Sequence, residues 1–183
     1  MVFDIYTLVE SIWVILPAYV ANGLVSLVRF FTKKPHPIDF GKTWKGKPVF
    51  GKNKTWEGLM FGCLIGMLIG WIEMLSFPFL PFHMSPVPLK IIPMSALLGF
   101  LLGFGAMAGD AVESFLKRRL NIKPGKPLPV LDQLDFLIGA VVFSSLVMSW
   151  EWEWIVLLII LTPVFHFVAN ITGYLLKIKK HPW

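Results

Sequence analysis

Five apolar stretches, at 5–31, 56–76, 91–113, 131–150 and 154–176, set the terms on which this chain can fold. Each approaches the roughly 20 residues that a helix needs to cross the hydrocarbon of a bilayer. Inside a membrane no water bonds the backbone amides, so such stretches must satisfy themselves as helices. The expected fold class is therefore all-α: a polytopic membrane protein of five transmembrane helices, one domain over residues 1–183. Composition agrees, with 56% hydrophobic and only 15% charged residues, outside the usage of soluble domains. The first cation is Arg29, behind the first apolar run, and no small-residue cleavage site follows it. That run is expected to stay as a span. A single cysteine, Cys63, excludes an internal disulfide or a thiolate metal cluster.

The cations sort by loop. Arg29, just before it, and lysines 33, 34, 42, 45, 47, 52 and 54 go with a first loop, 32–55. Lys117, Arg118, Arg119, Lys123 and Lys126 belong to a second, 114–130, and Lys177, Lys179 and Lys180 to the tail. Lys90 alone falls on the other side. The positive-inside rule then puts the N-terminus outside, with both loops and the C-terminus in the cytoplasm of a multi-pass cell-membrane protein. The net charge of +6 is read as sidedness, with Lys33 and Lys34 meeting anionic membrane lipids. No nucleic-acid partner is expected.

Within this frame the stretch Gly109–Asp135 stands out, because four carboxylates and five cations lie between two apolar runs. Ionisable groups at the end of a span are expensive, and they mark functional sites. On a helix Asp110, Glu113, Ser114 and Lys117 share one face. Glu113 and Lys117 are also spaced for an ordinary i,i+4 ion pair. Asp132 and Asp135, three apart, share a face at the start of the fourth span, where Pro129 can open the helix. Mg²⁺ takes one or two carboxylates together with substrate phosphates, so Asp110, Asp132 and Asp135 are its candidate ligands. Upstream, GKNKTWEG at 51–58 brings Lys52, Asn53 and Lys54 to a helix N-terminus that Thr55 is suited to cap, with Glu57 in its first turn. Such an end can cradle phosphate. It is not a Walker A loop.

Other polar residues are read as structural. Glu10 is expected to reach interfacial water, Pro17 to kink the first span, and Glu73 to be solvated. His166 and Asn170 share a face suited to interhelical hydrogen bonds. Gly58, Gly62, Gly66 and Gly70, with Gly99, Gly103, Gly105 and Gly109 on the next span, form stripes for close helix packing. The partner can be in the same chain or in a second copy, so an oligomer through these faces is one expectation. Trp56 and Trp71 suit interfacial anchors.

These motifs resemble the CTP-dependent phosphatidate cytidylyltransferase superfamily. Its S-x-x-K-R, loop, D-x-x-D signature is similar to Ser114, Lys117, Arg118, Asp132 and Asp135, and its K-T-x-E-G element to Lys54, Thr55, Glu57 and Gly58. The chain lacks the extra spans and the His-Gly-Gly triplet of the larger members. It looks like the small archaeal branch, the CDP-archaeol synthases, over essentially its whole length. The resemblance implies an Mg²⁺-dependent nucleotidyltransferase of phospholipid biosynthesis. Its substrates would be CTP and an isoprenoid ether-lipid phosphate, 2,3-bis-O-(geranylgeranyl)-sn-glycerol 1-phosphate, and its products CDP-archaeol and pyrophosphate. Asp110 and Asp132 would be the first metal ligands and Asp135 a third. Lys52, Lys54, Lys117 and Arg118 would clamp phosphates, the last two as catalytic groups, while Asn53, Thr55, Glu57, Glu113 and Ser114 would contact substrate or the loop itself. A lateral opening between helices, lined by the glycine faces, is expected for the lipid. The alternatives are a CTP-dependent polyprenol kinase and a small ion channel or carrier.

Overall fold

The computed structural model describes residues 4–122, 126, 128 and 130–175, without the side chains of 83, 84, 169, 170 and 173. The basic tail, Lys123, Pro129 and the side chain of Asn170 thus lie outside the described residues. The architecture is helical. In order come α1 (Ile5–Leu24), a 3₁₀ turn (Val25–Leu27), α2 (Val28–Phe31), a hairpin of β1 (Thr43–Trp44) and β2 (Lys47–Pro48), then α3 (Trp56–Ser76), α4 (Ala96–Arg119), α5 (Leu131–Ser144) and α6 (Trp152–Leu175). Among the described residues, Ile5–Phe31, Trp56–Phe79 and Ala96–Arg119 are long and apolar enough to cross a membrane, and Trp152–Val168 is a shorter apolar helix.

Capping explains where the long helices begin. Asp4 accepts from the amides of Tyr6 and Thr7, Thr55 from Gly58, and Ser95 from Leu98. Each side chain satisfies an amide that the first helical turn leaves without a partner. Ser95 also corrects the expected third span: the helix starts at Ala96, after Pro93, rather than at 91. It then runs six residues further, to Arg119, because Lys117, Arg118 and Arg119 in its last turn complement the negative helix end. The second loop is correspondingly shorter than 114–130.

The fourth span also differs from expectation. α5 has 14 residues, about 21 Å at 1.5 Å per residue, short of a hydrocarbon core of about 30 Å. Its end is folded back on itself. Ser144 and Ser145 donate to the carbonyls of Ala140 and Val141, and Trp150 Nε1 donates to Ser144 Oγ at 2.9 Å.

At the centre stands α4, packed most extensively against α3 on one side and α5 on the other. The contact is backbone on backbone. A Cβ at Gly66 would lie 2.5 Å from the Gly99 carbonyl oxygen and 2.7 Å from Gly103 Cα, and one at Gly70 would lie 2.7 Å from Gly99 Cα. Towards α5, Gly105 and Gly109 meet Gly139 in the same way. Gly62, Gly66, Gly70, Gly99, Gly103, Gly105 and Gly109 are therefore covered within the chain and do not line an opening between helices, whereas Gly58 faces only Thr55 and Val25. α1 closes the bundle through Val14, Ile15 and Ala18, buried with Leu102, Ala106, Phe136, Leu137 and Leu158.

Two acids sit differently from the sequence expectation. Glu10 is buried, accepting from the Lys90 amide at 2.6 Å and from Trp154 Nε1 at 2.9 Å. It staples α1 to α6 instead of reaching water. Glu73 is buried too, and neither carboxylate oxygen has a hydrogen-bond partner among the described residues. The single outlying cation, Lys90, pairs with Glu151 at 2.8 Å.

The first loop is a built structure. Ile38 and Trp56 exchange backbone hydrogen bonds with Lys54 and His36, lying the strap 36–38 along the entry to α3. Glu57 accepts from the His36 amide and contacts His36 Nδ1 at 2.6 Å. Arg119, at the end of α4, donates to the carbonyls of Trp44, Lys47 and Pro48, and its guanidinium lies over Trp44 and Phe115. Asp39 gathers the amides of Gly41, Phe50 and Gly51, each at 2.9 Å. Burial works to raise its carboxyl, but these donors outweigh burial and hold it below the ordinary value of 3.8.

Two expectations follow from this packing. Gly66→Ala should lower thermal stability in detergent by about 1–3 kcal/mol of overpacking, offset in part by about 0.8–1.0 kcal/mol of helix propensity. Gly62→Ala should be milder, because its Cβ would meet only the flexible Met107 side chain; equal melting temperatures for the two variants would contradict backbone contact as the determinant. For Asp39, whose folded value is depressed, the stabilisation is complete above pH 3.8 and is lost as pH falls through the lowered folded value. Hydrogen exchange at the Phe50 and Gly51 amides should accelerate over that acid range in the wild type, and at all pH values in Asp39→Ala.

Candidate active site

Three acids of the 109–135 stretch converge. Asp110 and Glu113 come from α4 and Asp135 from α5, and one carboxylate oxygen of each lies within 4.8 Å of the other two. The glycines bring them together: a Cβ on Gly109 would strike the Asp135 carbonyl oxygen, so the two helices touch just where the acids project. Asp110 and Glu113 sit on the face expected from their spacing.

Asp132 is placed apart from this trio. Its Oδ2 accepts from Lys117 Nζ at 2.7 Å and from the Leu128 amide at 3.1 Å. Its Oδ1 is buried with no hydrogen-bond partner among the described residues. Lys117 Nζ also lies 2.6 Å from Glu113 Oε1. That oxygen is outside hydrogen-bond geometry, but Coulomb attraction depends on distance rather than a linear angle, so the ion pair stands. Lys117 therefore bridges α4 to α5, which is more than the simple i,i+4 pair its spacing allowed. Val130, just before α5, has a φ of 69°, an uncommon conformation for a β-branched residue.

Opposite the acids lies the loop that precedes α3. Lys54 Nζ is 2.5 Å from Asp110 Oδ2. Lys52, Asn53 and Lys54 share a cavity of about 340 Å³ with all four acids, Ser114, Lys117 and Arg118. Arg118 is buried and donates weakly to the Ser114 carbonyl, at 3.5 Å. Among the described residues neither Arg118 nor Lys52 is paired with a carboxylate. Two of the cavity's four cations are thus held by acids, while two face it uncommitted.

Of the residues singled out in the sequence, Thr55 and Glu57 do not line this cavity. Thr55 caps α3, and Glu57 holds His36. The cavity also includes Asn22, Phe50 and His166, which were not expected there. Asn22 lies near the end of the first span, and no spacing links it to the acids. Asp39, which orders the turn into Gly51, carried a weak signal: an aspartate two residues before a glycine is a common turn former.

The donor set can hold a metal. It is oxygen only, built on rigid helices, and a carboxylate oxygen of Asp132 in the same cavity has no partner among the described residues. This is the chemistry of a hard divalent cation of the Mg²⁺ type, not of zinc or copper.

Comparison with known proteins agrees with this arrangement. Residues 3–183 match the CarS-like family model described as CDP-archaeol synthase. The CDP-archaeol synthase of Pyrococcus furiosus is 39% identical over 179 residues, covering 97% of this chain and 99% of that protein. Those of Methanocaldococcus jannaschii and Methanopyrus kandleri are 41% and 42% identical over 177 residues, covering 96% and 95% of this chain and 97% and 92% of those proteins. A solved structure of an intramembrane enzyme for archaeal membrane lipids biosynthesis superposes with a TM-score of 0.71 at 32% identity, over 89% of this chain and 94% of that one. With nearly the whole chain matched and the helical fold shared, the protein belongs to the CarS-like CDP-archaeol synthase family.

Proposed function

We propose that this protein transfers CMP from CTP to 2,3-bis-O-(geranylgeranyl)-sn-glycerol 1-phosphate, forming CDP-archaeol and pyrophosphate at the cytoplasmic face of the membrane. The observation that carries the reading is the meeting of Asp110, Glu113 and Asp135, from two helices, in a cavity that also presents Lys52, Lys54, Lys117 and Arg118. CTP and a lipid phosphate bring roughly five to six negative charges together, taking about −1.5 to −2 for the phosphomonoester. A site for them needs cations and a metal-binding acid cluster side by side.

The chemistry asks little of a general base, because the nucleophile is already an anionic phosphate oxygen. That oxygen forms a bond to the α-phosphorus of CTP, the bond from this phosphorus to the bridging oxygen breaks, and pyrophosphate leaves with the electron pair. Positioning and charge stabilisation supply the rate. Asp110, Glu113 and Asp135 would hold Mg²⁺, with Asp132 joining through its orphaned oxygen. When bound there, the cation neutralises charge developing on the leaving pyrophosphate. Arg118 grips phosphate bidentately and Lys52 acts as a point charge. Lys54 and Lys117, now paired with acids, can turn to the triphosphate when those acids take the metal. The topology that fits is a five-helix bundle with the N-terminus outside and both basic loops inside.

Incubation of the purified protein with radiolabelled CTP, Mg²⁺ and the lipid phosphate should yield a CDP-lipid and pyrophosphate. With polyprenol in place of the lipid phosphate, CDP and a lipid phosphate would instead indicate a kinase, and ion flux without nucleotide turnover a channel. Asp110→Asn and Asp135→Asn should each lower turnover by about 100-fold or more. Full activity in both would remove the metal assignment.

A further inference from the structure

A second cavity, of about 490 Å³, adjoins the first. Lys52, Asn53, Lys54 and Asp110 line both, so the two cavities share these four residues as a common border. The outer walls of the two differ in kind. Away from this border the first cavity is lined by further acids and cations. In the second, Val25, Val28, Leu59 and Met107 supply an apolar wall between the end of α1, α2 and the start of α3, and Arg29 stands at its edge.

The charge in this second cavity is unbalanced. Three cations, Arg29, Lys52 and Lys54, face one carboxylate, Asp110, which leaves two positive charges. A phosphomonoester carries about −1.5 to −2 at neutral pH. Arg29 is exposed, rests 4.9 Å from the Phe30 ring, and has no carboxylate partner among the described residues. Phe30 and Phe31 beside it are 68% and 78% exposed. Aromatic side chains around a cation at the end of an apolar helix are the pattern of a membrane interface. Polar and positive at one end, apolar along its wall, the cavity has the shape of demand of an amphipathic phosphate ester, and nucleoside triphosphate has no use for the apolar wall.

Resting on the function proposed above, we infer that this cavity seats the phosphate of the acceptor lipid, and that Arg29 is the residue that recognises it. The lipid chains leave along Val25, Val28 and Leu59 towards the exposed aromatic surface. Arg29 and Lys52 hold the phosphate where the two cavities share residues, so that its oxygen meets the triphosphate there directly. An in-line displacement needs the attacking oxygen and the leaving group on opposite sides of phosphorus, and adjoining cavities let the two substrates approach from different sides.

The test separates the two substrates kinetically in the full-length protein. Arg29→Gln should raise the KM for lipid phosphate about tenfold or more, the loss of a charged hydrogen bond, while the KM for CTP stays within about twofold. Arg29→Lys should recover part of this, since a point charge replaces a bidentate fork. Ser26→Trp, which crowds the same cavity from an exposed position, should also raise only the lipid KM. CTP-dependent thermal stabilisation of each variant checks that the fold and the nucleotide side are intact. Wild-type values for the lipid in both Arg29→Gln and Ser26→Trp, or equal increases for lipid and CTP, would overturn the subsite and leave the cytidylyl-transfer reading standing. Failure of the wild type itself to make a CDP-lipid would remove both.

Discussion

Backbone-to-backbone contact between α3, α4 and α5 is the constraint on which the site depends. In a bilayer, helices gain little hydrophobic energy by meeting, so association rests on close van der Waals packing. Gly62, Gly66 and Gly70 lie against Gly99, Gly103 and Met107 on one side of α4, and Gly105 and Gly109 against Gly139 on the other. The second seam runs directly into the acids. Asp110 follows Gly109 in α4, and Asp135 precedes Gly139 by one helical turn in α5. The same contact that packs the bundle therefore sets the distance between carboxylates from different helices. An alanine in the seam would act on chemistry as well as on stability.

Closeness of that kind has an electrostatic cost, which the basic residues offset. A buried carboxylate left alone is strongly destabilising, whereas one paired and hydrogen-bonded is tolerated. Lys54 reaches Asp110 from the loop, and Lys117 sits between Glu113 and Asp132. The loop can do this because it is ordered at both ends, by Asp39 at the turn before Lys52 and by Arg119 gripping the hairpin. The lysines that balance the acids are also suited to accept phosphate charge, so substrate binding on this view is an exchange of partners in which no charge is left bare.

Much of this was readable before any coordinates. The apolar runs anticipated that the chain is helical and membrane-type, the residues Asp110, Glu113, Ser114 and Lys117 declared a shared face by helical period, and Thr55 marked the start of α3. Reading failed where geometry depended on how helices register against one another. Asp132 and Asp135 are equivalent by spacing, yet Asp135 faces Asp110 and Glu113 while Asp132 turns to Lys117. Glu10 and Glu73 looked like surface acids from their positions near span ends, and both are buried. α5 stops at Ser144 although the apolar run continues to Trp150, an ending that hydropathy does not register.

By itself the sequence determined that this chain is built of membrane-type apolar helices, that its cations are gathered around two loops and a tail, and which acids and lysines share a helix face. These follow from solvation and from the period of a helix, both local properties. Only the tertiary structure decided which acids share a cation-sized space, which lysines are held and which are free to meet phosphate, and that two cavities adjoin across Lys54 and Asp110. Those outcomes depend on the depth and rotation at which α5 and the first loop dock on α4, and such quantities are set by contacts between residues far apart in the chain.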